Sequence, residues 1–586
     1  EMLRSLVGSE MCIRDREEED ARYRIPEARC RIPEIGRRRF GADAVGARWQ
    51  RSLSRPGFTP RNGRVKKSPP PSPLPIVPLT PGLRRFLLAT AAVTGGAVMV
   101  IEILGAKLLA PYFGTSHFVW TAQIGVTLLA LALGYALGGW LADRSPRPAW
   151  IYGGLVVAAA WLCGVVLWVE PIAYGCLRFE LALGSLVGSG LLFFVPLALL
   201  AMVSPFFARV LTRSLEQVGR SVGRLIALGT LGSVAGTVLI SYVVIPRVPN
   251  SVSLYACAVL LGALALAYFA GWQRPGLAPA ALVGGLALLV GGLGAARPPF
   301  ADLPGWRELY RGNSNFGLLQ VIESADGARR YYLNDLLTQN SYAPAERQSV
   351  SLFTHMLHGL GRAYAPQVED VLCIGLGVGI VPMQFAREGA RVDVVEINPA
   401  VVPLAERFFD FEPARVRLVI GDGRYFVARA TNRYDLIVLD AFLGDSSPSH
   451  LMTREAFSAM RRCLKPGGVL VMNTISDLGP GRDFLVASLA RTLGTVFRSH
   501  RVHAAGNGNI FLVASDQPDL APRRTPDFAR MPAAVRYQAE EAFLGVRWVD
   551  PAHGRVLTDD FNPVEFHDAV NRVQLRRTLA LAYRPR

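Results

Sequence analysis

The sequence lacks closely paired cysteines. Its seven, Cys12, Cys30, Cys163, Cys176, Cys257, Cys373 and Cys463, never fall at CxxC spacing. That argues against a zinc ribbon or a disulfide framework and suits reducing surroundings for the soluble part. The start lacks the short basic segment and small-residue cleavage site of a signal peptide. Charge is thin, at 19% of residues, and residues 86–295 hold little of it. The net charge of +17 does not mark a nucleic-acid binder. Residues 1–85 carry 19 Lys/Arg against 10 Asp/Glu, which is +9 of the total. Much of the remainder is Arg in loops between apolar runs, where a positive-inside bias puts it.

With 586 residues, two or three domains are expected. Residues 1–84 are Arg-rich and end in SPPPSPLPIVPLTP. The opening EMLRSLVGSEMCIRD resembles translated adapter sequence, so residues 1 to about 64 are expected to be an artefact or a disordered basic tail. Residues 85–296 hold apolar runs at 86–110, 118–141, 149–169, 183–208, 222–245, 251–271 and 277–295, each near the length of a membrane span. Their Gly and Ala suit close helix contact. Arg144 and Arg147 mark one cytoplasmic loop, and Arg209, Arg213, Arg220 and Arg224 another. The Arg-poor loops 111–117 and 170–182 should be external, with the N-terminus inside. Seven spans would then put residues 296–586 outside. Supply of a cytoplasmic cosubstrate would instead require them inside, and the runs broken at Pro196 and Pro205, or joined at 271–276, are where the count could change. Two charges lie in the first span. Lys107 can snorkel, while Glu102 sits near mid-bilayer, where a charge suggests a ligand contact or a bond to a neighbouring helix.

The remainder reads as a small β-hairpin lead-in, 297–345, and an α/β unit, 346–586. Apolar strand and helix patterns alternate from 369 onward, which predicts a doubly wound parallel sheet with helices on both faces. Ligands then bind beyond the carboxyl ends of the strands. One such end reads Gly375-Leu-Gly377-Val-Gly379, a turn that can cradle a nucleoside. The third glycine of a dinucleotide fingerprint is absent: position 380 is Ile. Acids instead close successive strands, at Glu396, at Asp422 before Gly423, and at Asp440. Such a rim repels a pyrophosphate and suits a cationic sulfonium nucleoside or a polyamine.

GLGVG with VVEINP, GDGRYF, YDLIVLDAF and LKPGGVL resemble class I S-adenosylmethionine-type transferases, and among them the spermidine synthases. NSNFGLLQV and LNDLLTQ match further segments of that family. EILGAKLLAPYFGTS, LGYALGGWLADR, DAFLGDSSPSHLMTREAF and LTDDFNPVE resemble its membrane-fused bacterial branch.

The resemblance implies decarboxylated S-adenosylmethionine as cosubstrate, a putrescine-like amine as acceptor, and no metal. It implies that Gly375, Gly377, Gly379 and Gly423 let the backbone approach the nucleoside. Glu396 would hold the ribose and Asp422 the adenine. Asp440 would face the aminopropyl ammonium or the attacking amine, and Gln339 would line the amine pocket. The family's D-x-x-D-P is altered here, with Leu443 at the second Asp, so the base is shared between Asp440 and Asp445. Its Tyr-x-Glu becomes Phe353-Thr354-His355, which makes His355 a candidate amine contact and leaves the amine open. Asp445 reads equally well as a helix cap, and Asp559 and Asp560 as a turn. The implied setting is a multi-pass protein of a bacterial inner membrane with a cytoplasmic catalytic half. Its partners are then a polyamine and the bilayer, with no nucleic acid and with a homodimer left open. A methyltransferase using S-adenosylmethionine, and a polyamine transporter or sensor whose α/β half only binds, remain as alternatives.

Overall fold

The computed structural model describes residues 79–212, 218–296, 305–442, 448–506 and 508–567. It opens with apolar helices: α1 (Pro81–Phe113), α2 (His117–Arg144), α3 (Ala149–Cys176), α4 (Leu181–Ala201), α5 (Val203–Leu211), α6 (Val218–Val238), α7 (Asn250–Trp272) and α8 (Leu277–Ala296). With α4 and α5 taken as one stretch, seven are long and apolar enough to cross a membrane. Pro196 lies inside α4 and Pro205 inside α5, and the Arg274–Gly276 turn separates two distinct helices. Glycine sets the closest approach. A Cβ on Gly232 of α6 would lie 1.9 Å from the Ala92 carbonyl oxygen of α1, so only glycine permits this contact.

An antiparallel sheet follows: β1 (Trp306–Ser314), β2 (Gly317–Ser324), β3 (Arg330–Asn334), β4 (Leu337–Ala343) and β5 (Gln348–Ser349). The expected hairpin is thus a five-stranded sheet that runs past residue 345. Its short edge strand, QS, carries too little apolar alternation to be read from sequence.

After α9 (Leu352–Tyr364) come β6 (Asp370–Ile374), α10 (Ile380–Arg387), β7 (Arg391–Glu396), α11 (Val402–Phe408), β8 (Arg417–Ile420), α12 (Gly423–Val427), β9 (Tyr434–Leu439), α13 (Arg454–Cys463), β10 (Leu464–Ser476), α14 (Phe484–Val496), β11 (Ser499–Ala504), β12 (Gly508–Ser515), α15 (Ala533–Leu544), β13 (Val546–Arg547) and α16 (Val564–His567). The eight-stranded sheet has the order β13-β11-β12-β10-β9-β6-β7-β8. Strand alternation builds both faces. Val371 and Cys373 pack with α9, α10, α11 and α15, while Leu372 and Ile374 pack with α12, α13 and α14. The expected parallel sheet holds from β10 to β8. Beyond β10, the strands β12, β11 and β13 pair antiparallel. A short connection of a few residues between β11 and β12 permits only that sense.

The α/β region meets the helices at two connections. Lys107 Nζ donates to the Asn315 carbonyl at 3.3 Å, and Asn313 Nδ2 to the Val248 carbonyl at 2.9 Å. His117 Nδ1 lies 3.7 Å from the Glu565 carboxylate. All of these lie at the end of the bundle that holds the α1–α2 and α6–α7 connections. The 145–148 connection, the end of α5 at Leu211 and the start of α6 at Val218 lie at the other end.

Candidate active site

The chain leaves β6 to one side through β7 and β8, and reaches β9 on the other. The crevice between β6 and β9 is therefore the topological switch point, where ligands bind in open α/β sheets. Asp440 N donates to the Ile374 carbonyl at 3.0 Å and closes the crevice floor. Gly375 (φ +100°) passes so close above it that a Cβ would lie 2.2 Å from the Asp440 carbonyl oxygen. Gly379 (φ +84°) starts α10, with the Phe411 ring where a side chain would go. Gly377 is also left-handed, and Gly423 packs where a Cβ would meet Ile374.

Glu396 is buried at the end of β7. Its carboxylate accepts from Leu376 N at 2.8 Å and Asn398 N at 2.7 Å. Burial pushes its pKa up, against those backbone bonds. The Gly-rich turn is thus tied to the acid 20 residues later. Asp422 follows β8. One oxygen caps α12, accepting from Arg424 N at 2.7 Å, and the other lies 3.2 Å from His450 Nε2.

Asp440 follows β9. Asn473 Nδ2 of β10 donates to it at 2.9 Å, and Asn509 Nδ2 of β12 donates to Asn473 Oδ1 at 3.0 Å. Burial raises the Asp440 pKa to about 6, opposed by the Asn473 bond. Sequence reasoning missed both asparagines, because only the long-range pairing of β10 with β12 and β9 brings them to the acid. The one legible signal was a polar residue in the buried run VLVMNTIS.

Gln339 is the extra residue of a β-bulge: Leu333 pairs with Thr338 and Tyr332 with Asn340. Bulges re-aim side chains and gather beside active sites. His355 is buried, with Nε2 2.9 Å from the Ser349 carbonyl and its pKa lowered by burial. Any amine contact through it has only Nδ1 to use. Asp559 bonds Arg424 and Thr453, both at 2.6 Å, and so fastens the chain end over α12. Asp445 and Leu443 lie outside the described residues.

Strand order now fixes spatial order. A ligand lying across the strand ends meets Asp422, Glu396, the Gly375 turn and Asp440 in sequence. Neighbouring strands are about 4.8 Å apart, so the three steps span about 14 Å.

The family described as "Spermine/spermidine synthase domain" matches residues 351–497. A polyamine aminopropyltransferase from Vibrio vulnificus (strain CMCP6) is 32% identical over 213 residues, covering 35% of this chain and 71% of that protein. The chain belongs to the polyamine aminopropyltransferase family. Putrescine N-methyltransferase 1 of Nicotiana tabacum is 31% identical over 172 residues, 28% of this chain and 44% of that one. The spermidine synthase structure from Thermotoga maritima superposes with a TM-score of 0.35 at 18% identity, covering 43% of this chain and 94% of that chain. Within the matched family segment, residues 351–497, lie the Gly-rich turn, Glu396, Asp422 and Asp440. The helices α1–α8 lie before the family segment.

The state of Asp440 can be measured. Its carboxyl should titrate near pH 6 by carbon NMR. Asn473→Leu removes a donor that favours the ionised form, so the midpoint should move higher; an unmoved midpoint would show that Asn473 does not hold the carboxylate. An unfolded aspartate titrates at about 3.9. The folded chain therefore keeps this proton longer, and the stability contributed by this group is full below pH of about 4 and lost as pH rises through about 6. Asp440→Asn should flatten that slope.

Proposed function

We propose that the α/β region transfers the aminopropyl group of decarboxylated S-adenosylmethionine to a putrescine-like diamine. The observation that carries this reading is the order of groups along the crevice. Asp422, Glu396, the Gly375 turn and Asp440 follow the order of adenine, ribose, sulfonium and aminopropyl in the nucleoside. Glu396 has lone pairs left for the ribose hydroxyls after its two backbone bonds. Asp440 is paired with the amide of Asn473 rather than with a cation. That environment suits an ammonium group and disfavours the carboxylate of intact S-adenosylmethionine.

In the transfer, the amine lone pair forms a C–N bond to the methylene next to sulfur. The C–S bond breaks, its electron pair stays on sulfur, and neutral methylthioadenosine leaves. The amine must shed a proton, and a carboxylate with a pKa of about 6 can accept it near neutral pH. Gln339 would reach the amine from the bulge, and Asp445 is the other candidate base. Most of the acceleration would come from holding two cations side by side in a slot lined by acids.

We also place the α/β region on the membrane face opposite the Arg-rich loops. Three features support this: seven candidate spans among the described residues, Arg84, Arg85, Arg144, Arg147, Arg209, Arg220, Arg224 and Arg274 at one end, and docking of the α/β region at the other. This departs from the cytoplasmic placement that cosubstrate supply suggests. The membrane is taken as a bacterial inner membrane.

Purified full-length protein, offered decarboxylated and intact S-adenosylmethionine with a panel of diamines, should release methylthioadenosine only from the decarboxylated form. Asp440→Asn should lower kcat by about 100-fold or more. Methylation of an amine by intact S-adenosylmethionine would replace this reading with a methyltransferase. For the side, a membrane-impermeant maleimide on intact cells should label Trp548→Cys and spare Arg147→Cys; the reverse pattern would put the α/β region inside.

A further inference from the structure

Glu102 lies on α1, 11 residues before its end at Phe113. Lys107, five residues on, donates to the Asn315 carbonyl and not to Glu102. Glu102 instead faces the Thr127 hydroxyl of α2, which donates to the Gln123 carbonyl at 2.9 Å. One turn away on the same helix, Gln123 is fully buried, and neither its amide nitrogen nor its amide oxygen has a partner among the described residues. Gly105 makes room for it: a Cβ there would lie 2.7–2.8 Å from the Gln123 amide atoms. Ser189 of α4 is also fully buried with an unpartnered hydroxyl. It lies half a helical revolution from Ala198, which meets Gly134 of α2, so it stands apart from the Gln123 contact.

In hydrocarbon surroundings each unsatisfied polar group is costly, and an acid at this depth is a functional feature by default. The Glu102 carboxylate, the Gln123 amide and the Thr127 hydroxyl come together where α1 meets α2. We infer that α1 and α2 hold a binding site for a primary alkylammonium group, about 9–16 Å below the end of the bundle that carries the α/β region (from 1.5 Å rise per residue). One positive headgroup balances the single carboxylate of Glu102. Its N–H groups find acceptors in the Glu102 carboxylate and the unpartnered Gln123 amide oxygen, and its methylenes suit the apolar helices around them. A divalent metal fits poorly, since no group of three His, Cys, Asp or Glu occurs among the described residues. The choice of a diamine as occupant rests on the proposed reaction. The site would present the same class of amine to the helical half that the crevice takes as acceptor.

The test uses the full-length chain in lipid nanodiscs with radiolabelled putrescine. An Asp440→Asn background weakens the crevice site. Putrescine binding should persist in that background. It should weaken at least tenfold on adding Glu102→Gln or Gln123→Leu, and be retained with Glu102→Asp. Nucleoside binding by each variant reports that the chain is folded. No binding in the Asp440→Asn chain, or binding that neither Glu102→Gln nor Gln123→Leu alters, would overturn the inference and leave the cluster to water alone. A chain that makes no product with any amine, yet loses putrescine binding through Glu102→Gln, would refute the proposed reaction and keep this site. Product formation without binding that depends on Glu102 would do the opposite.

Discussion

A carboxylate drawn partly out of water at the end of a strand is costly unless something favours its ionised form. Asp440 has one such partner, the Asn473 amide, and its pKa still rises to about 6. The other parts of the crevice are arranged around that acid. Gly375 must be glycine because its backbone crosses the Asp440 carbonyl. Asn509 orients Asn473, which requires β12 to pair antiparallel beside β10. An acid held this way is short of positive charge. A cationic ligand relieves it, and an anionic one adds to it.

The same logic links the two halves of the chain. The β1–β2 turn is gripped by Lys107 and the α6–α7 connection on one side. On the other, Asn398 Nδ2 donates to the Ser314 hydroxyl at 3.2 Å, and Asn398 N donates to Glu396. The β1–β2 turn thus links the bundle end to the acid at the end of β7.

Much of this was legible in the sequence, for physical reasons. The helices announce themselves by length and apolarity. Strands β6 to β9 are short apolar runs bounded by turn signals, and their closing acids at 396, 422 and 440 lie where a parallel sheet presents ligands. The Gly375–Gly379 turn was readable because only glycine tolerates its backbone angles. What stayed hidden depends on contacts distant in sequence. The antiparallel edge, the Asn473–Asn509 relay and the bulge at Gln339 arise from strand pairing, which composition does not encode. His355 was placed as an amine contact from its position in a motif, but its burial against the Ser349 carbonyl comes from the packing of α9 on β5. Asp559 read as a bare turn residue because its partner Arg424 lies 135 residues away.

The central claim is that Asp440 makes the crevice select a nucleoside ending in an ammonium group. The most direct measurement is calorimetric affinity of the full-length protein for decarboxylated and intact S-adenosylmethionine, without amine, at pH 7.5 and with Asp440→Asn alongside. The account predicts at least tenfold tighter binding of the decarboxylated form, with the preference lost in the variant. Equal affinities in the unaltered chain, or a preference for intact S-adenosylmethionine, would contradict it.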